Sequence, residues 1–226
     1  MAKAISIIEV VGPPGSGKTA VSCALSRRSD KIKVESFPDF RAVKNVPFFA
    51  RNLVRLSPTL FHLWRHKIGV WLSKRDISLM TILIGWSFVL DQQVLDDGKM
   101  IVLEEGAICL LAKLFGFGSD LLREGIAARW WNEMYWKWAE ALGLVIVLKP
   151  PIQTMIERIR AREQQFEFGG MEDEEAIRYL ESIRRAQEHV LLAINAAPQG
   201  PKIVQFDTAN YQPDQIAAEI VALTLG

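Results

Sequence analysis

The chain has little cysteine and little histidine. It has no marked excess of either charge and no long apolar run, and each shortage excludes something. Its two cysteines, Cys23 and Cys109, form no C-x-x-C pair, which removes the usual thiol-redox signature. Cys23 falls in a predicted helix and reads as a buried, reduced thiol, so a cytoplasmic setting is expected. Two of the three histidines, His62 and His66, are spaced i, i+4, but no third ligand accompanies them, so they read as a surface pair. Lys and Arg number 27 against 26 Asp and Glu, and a net charge of +1 carries no global field for nucleic acid. The most apolar run, residues 79–90, is too short to span a bilayer and contains Gly85, Trp86 and Ser87; it reads as a core helix. The N-terminus enters a strand directly, with no expected signal peptide. At 226 residues, half of them hydrophobic, one domain is the simplest expectation, without repeats or low-complexity linkers.

What is present begins with residues 4–28: AISIIEVV, then GPPGSGKT, then AVSCALSRR. That is a buried strand, a glycine-rich loop and a helix, and the loop fits G-x-x-x-x-G-K-[ST]. Gly12, Pro13, Pro14, Gly15, Ser16, Gly17, Lys18 and Thr19 are therefore the candidate nucleotide site. Gly15 and Gly17 let backbone N–H groups turn inward around a polyphosphate, and the helix beginning at Lys18 aims its positive dipole end at the same place. Lys18, expected to face solvent without ligand, supplies a point charge for the β- and γ-phosphates; Thr19 offers a hydroxyl to Mg²⁺.

Further strands are expected at residues 32–35, 99–103, 144–148 and 202–206, all short and apolar on both faces, with helices between them. The pattern predicts an α/β fold of the P-loop NTPase type, a three-layer sandwich around a five-stranded parallel sheet. A helical insertion, about residues 40–95, separates the second and third strands; Pro47 and Pro58 read as helix starts or breaks, and Asp96, Asp97 and Gly98 as a turn. Ligands then bind at the carboxyl ends of the strands.

Those ends carry the remaining candidates. Glu104 can hold Mg²⁺, directly or through water; Glu105 is the weaker candidate, because only one of two adjacent residues usually faces the site. Glu35, with Asp39 as the alternative, can accept a proton from an acceptor hydroxyl. Arg158 and Arg162 lie four apart on a charged helix, with Arg160 between them, and can neutralise charge on a transferring phosphoryl group. Gly169 and Gly170 follow, which suggests a lid over about residues 158–171. Residues 41–75 hold eight Lys or Arg, no acid, and Phe48, Phe49, Phe61, Trp64 and Trp71. Either the acceptor is anionic and partly apolar, or this face rests on anionic lipid.

The stretch LVIVLKPPIQTMIERIRAREQQ, followed by RYLESIRRAQEHVL and IVQFDTAN, resembles the P-loop nucleoside and nucleotide kinases of the thymidylate kinase and deoxynucleoside kinase group. The resemblance implies that Arg158 lies against the adenine, that Arg162 closes on the phosphates, that Asp207, Thr208 and Ala209 border the base, and that Glu35 is the catalytic base. The chain differs from that group after the third strand. Glu104-Glu105-Gly106 replaces Glu-Arg-Ser or an Asp-Arg pair, Gln164 replaces a second lid arginine, and AICLLAKLFG has no acid to read an acceptor base. The expectation is an ATP- and Mg²⁺-dependent phosphotransferase acting on an anionic small-molecule acceptor, with Lys18, Glu35, Arg158 and Arg162 catalytic. The alternative is a nucleotide-switched NTPase or a protein that binds a partner or membrane surface. Membrane contact through residues 41–75 and pairing into a homodimer stay open.

Overall fold

The computed structural model describes residues 5–39, 42, 45–66, 72–161 and 171–225. Strand β1 (Ile7–Val11) leads through the glycine-rich loop into helix α1 (Lys18–Arg28), and β2 (Ile32–Glu35) follows. Two long helices come next, α2 (Val46–His66) and α3 (Lys74–Asp97), before β3 (Met100–Leu103). Helix α4 (Ala107–Phe117), two short 3₁₀ turns and α5 (Ala128–Ala141) lead to β4 (Leu144–Leu148). The chain ends with α6 (Ile152–Arg160), α7 (Asp173–Asn195), β5 (Lys202–Phe206) and α8 (Pro213–Leu225).

The strands form one parallel sheet in the order β2-β3-β1-β4-β5, as the alternation of short apolar strands and helices predicts. Because side chains alternate along each strand, the sheet has two cores. Ile7, Val11, Ile101, Leu103, Val145 and Val147 pack toward α3, α4, α5 and α7. Ile8, Val10, Val102, Ile146 and Leu148 pack toward α1 and α8, against Val21, Leu25, Ile216 and Ile220. β2 and β5 depart from the expected burial on both faces: they are the edge strands, and Val34, Lys202 and Gln205 are exposed.

The insertion between β2 and β3 consists of α2 and α3. Helix α3 runs from a capping box, Ser73 with Asp76, to Gly98 in the left-handed conformation, so Asp96 and Asp97 belong to the helix and not to a turn. It is long and apolar enough to cross a membrane by length and composition, though the run within it looked too short. Met80, Leu83, Trp86 and Leu90 are nonetheless buried in the core. Trp86 sits between Phe37 and Trp138, with ring centroids 6.5 and 5.9 Å away, which ties the insertion to the end of β2 and to α5.

Two further expectations are corrected. Pro58 does not break α2, because it lies on the solvent side and the hydroxyl of Ser57 donates to the carbonyl of Val54 at 2.8 Å, the acceptor that the missing proline N–H would have served. Cys23 is exposed, because helical register turns Val21, Ser22, Ala24 and Leu25 inward on α1 and leaves Cys23 outside. Cys23 therefore gives no support to a reducing compartment.

Candidate functional site

The glycine-rich loop leaves the carboxyl end of β1 at the middle of the sheet. Gly15 and Gly17 adopt φ of 78° and 97°, so the two glycines supply the left-handed geometry that wraps the loop. Helix α6 packs behind it: a Cβ on Gly15 would stand 2.6 Å from the carbonyl oxygen of Met155. Ser16 is buried, and its Oγ lacks a hydrogen-bond partner.

Lys18 does not extend into solvent. Its ammonium folds over the loop and donates to the carbonyls of Gly12 at 2.8 Å and Pro13 at 3.1 Å. Burial pulls its pKa down, opposed by Cys109, Glu105 and Glu104. An incoming polyphosphate would exchange these carbonyls for phosphate oxygens.

Thr19 Oγ1 donates to Glu104 Oε1, joining the first turn of α1 to the end of β3. The paired hydroxyl and carboxylate are hard oxygen donors beside Lys18, the donor type that Mg²⁺ takes. Glu105 accepts from Lys113 at 3.0 Å and lies near enough to Lys18 to raise its pKa. No group of three or more His, Cys, Asp or Glu fit to hold a metal occurs among the described residues; His62 and His66 contact only edge to face, at 4.6 Å between centroids.

On the other flank, Arg158 bridges the loop to the β5–α8 connection. Its Nη1 donates to Thr208 Oγ1 at 2.9 Å and its Nη2 to the Thr208 carbonyl at 2.7 Å, while Thr208 Oγ1 donates to the Ser16 carbonyl at 2.9 Å. Asp207 accepts from Ala209 N at 2.9 Å and closes the turn. Arg158, Thr208 and the loop thus form one network. Arg160 pairs instead with Asp173. Arg162, Gln164, Gly169 and Gly170 lie outside the described residues, as does most of the expected lid.

Glu35 ends β2 on the face that Ile101 and Leu103 share on β3. Its carboxylate pairs with Lys33 at 2.8 Å, and Lys33 also reaches Asp97 at 3.4 Å. The basic segment splits. Arg51, Arg55 and Arg65 are exposed on α2, while Arg75, in the first turn of α3, is close enough to Lys113 to lower its pKa. Arg41 and Trp71 lie outside the described residues.

Two residues of this region carried no sequence signal that was used. Glu9 is fully buried in β1 and accepts from the N–H groups of Ile108 and Cys109, both at 3.0 Å, at the start of α4. Burial raises its pKa to about 7, against four helix N–H groups that lower it. Its carboxylate fills the space beside Gly106, where a Cβ would stand 2.3 Å away, and so fixes the turn that carries Glu104 and Glu105. Lys113 is the other. Burial opposes its charge, but Cys109 and Glu105 hold its pKa above the ordinary lysine value. A lone acid in an apolar strand and a lone lysine in an apolar helix were the available signals.

No family model matches the chain, and no curated protein does. Solved structures do. The structure of deoxyadenosine kinase from M. mycoides with bound dATP aligns over 96% of this chain and 98% of that one, with TM-score 0.51 and 18% identity. Structures of the same enzyme with dCTP, and with dCMP and dCDP, cover 97% of this chain and 100% of theirs, with TM-scores 0.47 and 0.49 and identities of 18% and 17%. The chain has the P-loop kinase type of α/β fold seen in the first of these; at such identity the likeness is one of fold.

Proposed function

We propose that the protein is an ATP-dependent phosphotransferase whose acceptor is an anionic small molecule. The observation that carries this is the joining of Thr19 to Glu104 beside Lys18, which gathers a phosphate cradle, a cation and two hard oxygen donors at one end of the sheet. Thr19 and Glu104 would hold a magnesium ion, which would supply charge neutralisation for the phosphates. Lys18 would supply fixed positive charge where negative charge grows in the transition state. Arg158 and Thr208 would brace the loop on the side where the base would lie. Glu35, once released from Lys33, would orient or deprotonate the acceptor hydroxyl, and Arg162 would reach the transferring group from the lid. Fold likeness to deoxyadenosine kinase supports the nucleotide side of this reading.

The anionic acceptor is supported by Lys113, which donates to Glu105 at 3.0 Å, and by Arg75, which lies near enough to Lys113 to lower its pKa. An acceptor bearing phosphate or carboxylate would take over the partner role of Glu105. The test is ATP consumption against a panel of neutral and phosphorylated metabolites, with mass spectrometry of the product and Lys18→Ala as the control. A kinase turns over faster with its acceptor. Turnover that no acceptor accelerates refutes the transferase reading. Lys113→Gln with Arg75→Gln should raise the acceptor KM more than the ATP KM, with a smaller effect at high salt; equal effects on both would refute the anionic acceptor.

A further inference from the structure

Helix α2 has two faces of opposite character. Asn52, Leu56 and Leu63 are buried against the rest of the protein. On the other side, Val46, Leu53, Val54, Phe61 and Trp64 are 56, 44, 72, 59 and 41% exposed. At 3.6 residues per turn these five fall within an arc of about 100°, shared with Ala50 and the exposed Ser57, so they form a mainly apolar stripe along the helix. Phe61 and Trp64 lie side by side in it, with ring centroids 6.0 Å apart.

The stripe has a basic border. Arg65, Arg51 and Arg55 follow it on one side of the helix, and α2 contains no Asp or Glu. The Arg51 guanidinium lies 5.8 Å from the ring centre of Phe88 on α3, which is itself 51% exposed, so the apolar surface continues across the border.

We infer that this outer face of α2 docks on an anionic lipid bilayer. Exposed aliphatic and aromatic side chains in one narrow arc, bordered by arginines, are the arrangement that places a helix in the interfacial plane. The apolar residues enter the acyl boundary, the aromatic rings sit at headgroup level and the guanidinium groups meet phosphate. A second copy of the chain fits less well. Antiparallel two-fold pairing through this stripe sets the arginine borders of both copies on one side, with no carboxylate on the helix to offset them. The inference uses none of Lys18, Thr19 and Glu104, so it does not rest on the transferase reading and is tested without nucleotide.

The test is flotation of the full chain with vesicles of phosphatidylcholine alone and of equal parts phosphatidylcholine and phosphatidylglycerol, at low and high salt. The wild type should float with the anionic vesicles and not with the neutral ones. Basic side chains at such a surface contribute about fivefold each, so Arg51→Gln, Arg55→Gln and Arg65→Gln together should weaken partitioning roughly a hundredfold at low salt. Val54→Ser with Phe61→Ser should weaken it on the apolar side. Both variants change exposed side chains, and circular dichroism checks that each retains its helix. No binding to anionic vesicles, or binding that neither variant alters, overturns the inference. A dimer, detected by light scattering and dissolved by the same variants without vesicle binding, overturns it in favour of a second copy.

Discussion

Glu9 should make the stability of the protein depend on pH in a direction opposite to that of most carboxylates. An unfolded glutamate loses its proton near 4.5, whereas the buried one retains it to about 7. Between those values the folded chain binds a proton that the unfolded chain has released, so stability falls as pH rises. The contribution is complete below about 4.5 and gone above about 7. A shift of this size is worth about 3 kcal/mol, at 1.36 kcal/mol for each unit of pKa. Desolvation of a fully buried carboxylate outweighs the N–H groups of α4, which favour the charged form. Urea unfolding of the wild type and of Glu9→Gln from pH 4.5 to 8 isolates the effect, because every other titration is common to both proteins. The wild-type advantage should shrink by about 3 kcal/mol across that range. A difference that stays flat, or grows with pH, would refute the reasoning. The same variant tests position: Gln cannot accept from both Ile108 and Cys109 without turning its NH₂ toward an N–H, so the turn bearing Glu104 should loosen and Mg²⁺-dependent nucleotide affinity should fall.

Four further outcomes follow from the loop and its neighbours. Lys18→Ala should abolish most ATP-dependent activity while costing about 1 kcal/mol or less of stability, since only hydrogen bonds to two loop carbonyls are lost; near-normal turnover in the folded variant would sink the nucleotide chemistry. Gly15→Ala should destabilise by about 1–3 kcal/mol from its positive φ alone, and more from the approach of the Met155 carbonyl, read as a lower melting temperature and weaker ATP binding. Thr208→Val removes the link between Arg158 and Ser16 and should cost about 1–3 kcal/mol with a raised ATP Kd; an unchanged Kd would mean that the bridge is structural only. Saturating ATP with Mg²⁺ should slow hydrogen exchange over residues 158–171, and no change there would argue against a closing lid.

The sheet was legible because its strands read as short runs between helices, and those at residues 32–35, 144–148 and 202–206 lie where the pattern put them, although the two edge strands are only partly buried. The loop was legible because its chemistry fixes residue types at fixed spacing. Proline and cysteine were misread for a shared reason: the outcome at Pro58 and Cys23 depends on which side of a helix meets solvent. A serine hydroxyl one residue away can also satisfy the carbonyl that a proline leaves orphaned. Glu9 was hidden inside a strand whose apolar neighbours dominated the reading, and its partners are a hundred residues away in α4.

The basic segment shows most clearly what a linear sequence withholds. Eight cations in residues 41–75 read as one feature with one cause, either an anionic acceptor or a lipid surface. Folding divides them by helix. Arg51, Arg55 and Arg65 belong to α2, whose buried side is fixed by Asn52, Leu56 and Leu63, and this turns the arginines outward beside the apolar stripe. Arg75 belongs to α3, whose start is fixed by Asp76. That carboxylate accepts from Ser73 N and Ser119 N, both at 3.2 Å, and so anchors the first turn next to the loop after α4. Arg75 is thereby carried toward Lys113. The two readings thus stop being alternatives, because different arginines can serve each. Removing Arg51, Arg55 and Arg65 should then release vesicles and leave acceptor KM unchanged, while removing Arg75 should do the reverse. If either set of substitutions moves both measurements, the division by helix is wrong.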